Sequence, residues 1–345
     1  MPLVTYKGAL HIHTRYSDGS GRLPEIIAAA RQAQLDFIVL SDHNRLDAKR
    51  DGWEGWHDGV LVIVGAEISP RRAGHVVALG VEDVKGYEHL SEGEYLRAVA
   101  RQGGVSFIAH PEGKRKVQFN VNLERWRHWD TNLFAGMEIW SFMHDWIKDL
   151  HVLKLRRFHR DPLGQIAGPD PWVLAAWDAL ASRRPVSGVA GLDVHARRLL
   201  LRAWTFFPYE FMFRTTLTYV RAPAFTGRPD DDIPTVIRAL VRGSAFVAYE
   251  ILGDASAFDF HARSADSLIP MGTATTIAPQ ALELRVLAPA PSEIRLLCAG
   301  RPVTQTQGTD LVHRPTAPGP YRVEIYRDER PWIFSNPIYL REPAP

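Results

Sequence analysis

The chain has 345 residues, 46% of them hydrophobic, enough to fill two cores of ordinary size. Its 41 lysines and arginines against 39 acids, with no long run of one sign, give no reason to expect nucleic acid or a membrane surface as partner, and they leave a small charged substrate open. The single cysteine, Cys298, excludes an intrachain disulfide, and no apolar run approaches the roughly 18 residues of a membrane span, so a soluble, cytoplasmic protein is expected unless a leader has been removed.

The first 200 residues alternate between two kinds of segment. Gly8 to His13 is a short strand candidate, followed by Ser20 and Pro24 as helix-start signals and by Leu23, Ile26, Ile27 and Ala30 at helical spacing. Further apolar runs are Phe37 to Leu40, Leu61 to Val64, Val76 to Leu79, Val105 to Ala109, Phe134 to Ile139 and Val186 to Val194. Most are continuous rather than alternating, which marks strands buried on both faces and hence a parallel sheet covered by helices. About seven such units suggest a barrel, in which reactive groups gather at the carboxyl ends of the strands. Asp231 and Asp232 cap a last amphipathic helix carrying Ile233, Val236, Ile237, Leu240 and Val241, which Gly243 ends. Beyond residue 250 short alternating segments dominate, from Phe258 to Ala262 through Trp332 to Leu340, with turn residues between them. This pattern predicts a small all-β sandwich over 251–345 behind an α/β barrel over 1–250.

Metal-binding side chains stand at or beside the apolar runs: His11 and His13, Asp18, His43, Glu67, His75, His110, Asp193 and His195. Taken singly, most have a plainer reading: Asp18-Gly19 as a turn, Asn44 as a helix cap beside His43, His75 and His110 as core histidines. Together they outline a polynuclear centre. Alternation puts His11 and His13 on one face of a strand, and a buried Glu67 without a cation would be costly. Imidazole and carboxylate without thiolate suit zinc, manganese or iron and lean away from a closed structural zinc site.

The motifs resemble those of the polymerase and histidinol phosphatase (PHP) superfamily: His-x-His-Thr-x-x-Ser-Asp-Gly at 11–19, Ser-Asp-His-Asn at 41–44, Gly-x-Glu at 65–67, His-x-x-x-Leu-Gly at 75–80, Ala-His-Pro at 109–111 and Asp-x-His at 193–195. The resemblance covers roughly residues 7–250. It implies a distorted (β/α)7 barrel with two to three divalent transition ions: the first held by His11, His13, Glu67 and Asp193, the second by Glu67, His75 and His110, the third by Asp18, His43 and His195. Family members differ at the Asp18 position, where some carry histidine, and Leu192 replaces the small residue usual before the last aspartate. The β-rich C-terminal stretch looks like the branch named for carbaryl hydrolysis.

The chemistry implied is hydrolysis of a small-molecule ester by a hydroxide shared between two ions, with Glu67 and Asp193 at its centre. A phosphoester is the first expectation, and an aryl carbamate or carboxylic ester the alternative. Arg15, Lys114 and Arg115, in loops just beyond ligands, are candidate phosphate contacts, Arg15 first. The aromatics Trp126, Trp129, Phe134, Trp140, Phe142 and Trp146 read as packing residues, or else as the wall of an aryl pocket in which His144 would serve as a general acid. His151 and His159 read as an exposed helix face. An oligomer is allowed but not indicated.

Overall fold

In the computed structural model the described residues are 3–116, 121–148, 161, 163–199 and 204–342. Strand β1 (Val4–Ile12) is buried from Gly8 onward and pairs in parallel with β2 (Phe37–His43). Between them α1 (Leu23–Gln32) buries Leu23, Ile26, Ile27, Ala29 and Ala30, the face its spacing predicts. Strand β3 (Val60–Ile68) is buried along its whole length and lies parallel to β2, with His43 directly opposite Glu67.

The parallel series then breaks. Strand β4 (His75–Leu79) is antiparallel to β3, because residues 69–74 are too few for the crossover that a parallel neighbour requires. Helix α2 (Glu92–Arg101), capped by Ser91 and Glu94, leads to β5 (Val105–Ala109), which is antiparallel to β4. Parallel pairing resumes with β6 (Gly136–Ser141) and β7 (Ser187–Gly191), the first followed by the short helix α3 (Phe142–Lys148) and the second preceded by α4 (Pro171–Arg183). Residues 192–194 bring the sheet back to its first strand: Leu192 N–H donates to the Leu10 carbonyl at 2.9 Å, and His13 N–H to that of Val194 at 3.0 Å.

The other end of β1 pairs with the antiparallel strand β8 (Thr216–Ala222). Helix α5 (Pro229–Arg242), with Asp230, Asp231 and Asp232 in its first turn and Gly243 in the left-handed region at its end, precedes β9 (Ala245–Tyr249). From residue 259 to 340 the chain forms strands apart from one 3-10 turn at Pro279–Ala281, and the pairing is mostly antiparallel: β10 (Asp259–Arg263), β11 (Glu283–Cys298), β12 (Arg301–His313), β13 (Gly319–Arg327), β14 (Arg330–Ser335) and β15 (Ile338–Leu340). Buried and exposed positions alternate along β11, as the sequence pattern requires for a sheet with one wet face.

Hydrogen bonding does not stop near residue 250, because β9 pairs antiparallel with β14. The buried Asn336 side chain accepts from Gly188 N–H at 2.7 Å and donates to the carbonyls of Gly188 and Ala245. No helix among the described residues is long and apolar enough to cross a membrane.

Candidate metal centre

The donors named from the sequence meet at one rim. His13 follows β1, His43 ends β2, Glu67 is the penultimate residue of β3, His75 begins β4, His110 follows β5, and Asp193 and His195 follow β7. Glu67 stands in the middle. Its Oε1 contacts His75 Nδ1 at 2.9 Å and His110 Nε2 at 3.0 Å. Its Oε2 lies 3.5 Å from both His11 Nε2 and His13 Nε2, and 2.9 Å from His43 Nδ1. Asp193 Oδ1 stands 3.5 Å from His11 Nε2 and 3.2 Å from His13 Nε2. On the outer side Asp18 Oδ1 is 3.1 Å from His195 Nε2 and 3.5 Å from His43 Nε2.

These spacings suit a cation. Two ligands on one ion at about 2.0–2.1 Å sit ~3.0–3.4 Å apart, whereas a good N–H···O bond closes to about 2.9 Å. Several gaps here have the wider value, and His11 Nε2 and His13 Nδ1 are buried without a hydrogen bond among the described residues. The ligand atoms fall into compact groups: His11, His13 and Glu67; Glu67, His75 and His110; His13, Asp18, His43 and His195. The donor groups therefore suit divalent metal ions.

The charges point the same way. Burial alone would push Glu67 and Asp193 upward, but the imidazoles, His11 foremost, hold both carboxyls well below the usual range. Burial likewise opposes charge on His11, yet Glu138, Glu67 and Asp193 raise its pKa well above the ordinary value. His13 goes the other way, down to about 3, through burial and its neighbour His195. The acids draw positive charge into a buried site, which divalent ions would supply.

The backbone is strained at the same places. His11 (φ 66°), Asn44 (φ 52°), His110 (φ 30°) and Asp193 (φ 52°) all occupy the left-handed region, rare for residues other than glycine. His11 therefore departs from the simple alternation expected of a strand, with a register shift between Ala9 and Ile12, and still shares Glu67 with His13.

Three residues join the site that the motifs did not mark as donors. Glu138, buried within β6, contacts His11 Nδ1 at 2.6 Å and accepts from the backbone N–H of His110 at 2.8 Å, so one carboxylate touches candidate donors of two groups. In the sequence it looks like one acid in an apolar run; burial without a visible partner was the signal available. Arg197 donates to Asp18 Oδ2 at 2.8 Å. His144 stacks on His110 with centroids 4.3 Å apart and planes 2° apart.

Arg15 is exposed, and its Nε donates to the Ser20 carbonyl rather than to a donor of the centre. The side chains of Lys114 and Arg115, and all of His151 and His159, lie outside the described residues. Trp126, Phe134, Trp140, Phe142 and Trp146 are core residues, as the packing reading has it. Beside the rim, a cleft of about 650 Å³ is lined by Asn44, Ser69, Arg71, Arg72, Arg125 and Arg127 among others. Ser69 Oγ joins it to the centre through His43 Nδ1 at 2.9 Å.

Residues 9–110 match the family model of the PHP domain. The PHP match takes in His11 through His110 and ends before Asp193 and His195. Among solved structures, a two-domain protein of Bacteroides vulgatus containing a predicted PHP-like metal-dependent phosphoesterase is 16% identical, with 97% of this chain and 95% of that one covered at a TM-score of 0.47. PsfC from Pseudomonas syringae is 15% identical over 68% of this chain and 89% of its own, at 0.38. Endonuclease Q in complex with a 27-mer duplex bearing an abasic lesion is 13% identical over 74% and 63%, at 0.39. No curated protein matches the chain.

Proposed function

We propose that the chain is a PHP-type metal-dependent hydrolase acting on a small phosphate ester. The observation that carries this reading is the position of Glu67, whose two oxygens face different donor groups. His11, His13, Glu67 and Asp193 would hold a first ion, Glu67, His75 and His110 a second, and Asp18, His43 and His195 a third. Bound there, divalent ions of zinc, manganese or iron would make a water acidic near neutral pH and steady the negative oxygen that develops in the transition state.

The chain's own groups have separate tasks. Glu138 keeps His11 Nδ1 engaged so that Nε2 faces the centre. Arg197, held on Asp18, offers a cation at the outer edge where a phosphate oxygen would arrive, with Arg15 in the same loop as Asp18 as a second. The cleft beyond Ser69 carries Arg71, Arg72, Arg125 and Arg127 beside Glu88, Glu92 and Glu124, and the aromatics that would have walled an aryl pocket, Trp129 apart, are spent on the core, which supports an anionic substrate over a neutral aryl carbamate.

We read residues 1–250 as a distorted (β/α)7 barrel carrying all of this chemistry and 251–345 as a β-sandwich that packs against it. The return of residues 192–194 to β1 and the antiparallel, alternating strands after residue 259 support that division. The deciding experiment screens metal-reconstituted protein against phosphomonoesters, phosphodiesters, aryl esters and an abasic-site duplex. Turnover of a phosphoester that vanishes in Glu67→Gln supports the proposal. Aryl ester turnover with no phosphoester cleaved under any metal overturns it.

A further inference from the structure

The cleft beside the rim holds two cations that nothing in the metal centre uses. Its lining carries Arg71, Arg72, Arg125 and Arg127 against Glu88, Glu92 and Glu124. Most of these charges are engaged: Glu92 accepts from Gly74 N–H at 2.8 Å, Arg127 lies 3.6 Å from Glu124, Glu88 has the exposed His89 at 3.5 Å, and the Arg125 guanidinium sits 4.1 Å above the centre of the Trp172 ring. Arg71 and Arg72 are exposed and make no hydrogen bond or ion pair among the described residues.

Their backbone is nevertheless held in place. Residues 69–74 join β3 to β4, and the loop is fastened at both ends. At one end Ser69 N–H donates to Asn44 Oδ1 at 3.0 Å and Asn44 Nδ2 to Ser69 Oγ at 2.9 Å. At the other the Gly74 carbonyl accepts from the buried Tyr95 hydroxyl at 2.7 Å. Arg72 is three residues before His75, so their Cα atoms are at most ~11 Å apart. His43 stands between the two anion-attracting regions: Nε2 faces Asp18, on which Arg197 is held, while Nδ1 faces Ser69 and the cleft. A phosphate drawn to the donors and Arg197 would leave the cleft, about 650 Å³, to the rest of the substrate. Two guanidinium groups without partners there suit a carboxylate or a phosphate, which arginine binds through paired hydrogen bonds.

We propose that Arg71 and Arg72 form a second anion subsite, so that the substrate is a phosphate ester whose leaving group carries a further carboxylate or phosphate. The proposal rests on the phosphate ester reading of the centre and narrows it to doubly anionic molecules small enough to reach from the ions to this loop.

Three esters with the same four-carbon chain test it: butane-1,4-diol monophosphate, 4-(phosphonooxy)butanoate, and the analogue ending in a phosphonate, which cannot itself be hydrolysed. The metal-reconstituted full chain should turn over an ester with a second anionic group about 10–100-fold better in kcat/KM than the monophosphate, the difference lying in KM. A preference for one of the two alone supports the proposal and names the anion. With Arg71→Ala and Arg72→Ala combined, and circular dichroism and metal content matching wild type, the preference should shrink towards unity; Arg71→Lys with Arg72→Lys should restore part of it. If the alanine variant does not fold, Arg71→Gln with Arg72→Gln carries the same test. Wild type without the preference overturns the proposal, as does a folded variant lacking both arginines that keeps it. If no phosphate ester is turned over with any metal, the reading of the centre itself falls, a result distinct from turnover without preference.

Discussion

Two clusters of buried charge in this protein meet the same difficulty in different ways. In one, β13 carries Arg322, whose guanidinium grips Asp178 of α4 through Nε at 2.7 Å and Nη2 at 2.8 Å and reaches Glu324 through Nη1 at 2.6 Å. The two carboxylates share a cation supplied by the chain, and Tyr326 O–H also donates to Glu324 at 2.9 Å. At the strand ends of the first half of the chain, Glu67, Asp193 and Glu138 face imidazoles, which carry charge only when protonated. Burying a carboxylate is costly in either place. The first cluster offsets that cost with a permanent cation of the chain and so contributes structure; the second relies on imidazoles that must take up protons, for which metal ions could exchange, and so has the character of a binding site.

Glu67→Gln should break the second cluster most severely, since one change removes charge from two donor groups. Elemental analysis should show loss of both the ions that Glu67 shares, with a fall in affinity of at least about 100-fold. Full metal content in that variant would mean that Glu67 is not a shared ligand.

Arg322→Ala should show the opposite signature. It leaves Asp178 and Glu324 buried without their partner, and a loss of about 3–5 kcal/mol in denaturant unfolding is expected, with metal content unchanged in the folded variant. If the folded variant loses metal, the two clusters are coupled and the contrast drawn between them fails.

A subtler change tests the support of the ligands. A Cβ on Gly191 would come within 2.0 Å of Glu138 Oε1, so Gly191→Ala should displace the carboxylate that orients His11 and His110. A fall in metal affinity of about 10–100-fold is expected, smaller than for Glu67→Gln, and isothermal titration would measure it. Unchanged affinity would show that Glu138 is dispensable.

The smallest expected effect is that of pH. Burial opposes a charge on His43, but contact with Glu67 outweighs it and pushes the pKa in the metal-free protein up to about 9. A metal must displace that proton, so affinity at the group with Asp18 and His195 should rise with pH and level off above about 9. The folded value lies above the ordinary 6.5, so the proton stabilises the metal-free fold fully below pH 6.5 and that contribution fades as pH rises through about 9. Titrations of affinity and of metal-free unfolding against pH should thus run in opposite directions. A flat affinity profile would remove His43 from the ligands.

The candidate donors were legible because metal ligation would demand particular side chains at strand ends, and both the residue types and the apolar runs are visible in one dimension. His11, His43, Glu67 and Asp193 could be named without knowing how their strands pair. Glu138 could not, because an acid within an apolar run shows its purpose only when β6 lies beside the strands bearing its two partners. Arg197 was hidden for the same reason, since a loop arginine is commonplace until the chain brings Asp18 against it; His144 could be named only as a candidate general acid, because its place against His110 and Asp193 is set by the fold.

Composition and periodicity, which are local, determined by themselves the strand-rich α/β start, the all-β end and the chemistry of the donor set. Pairing is long-range, and only the tertiary structure decided it: the antiparallel turn at β4, the return of residues 192–194 to β1, the continuation of β9 into β14, and the left-handed backbone at His11 and Asp193 that lets strand-end side chains converge. The physical reason is that a side chain's type is set where it is encoded, whereas its partner, and therefore its charge, is set by whatever else the fold buries beside it.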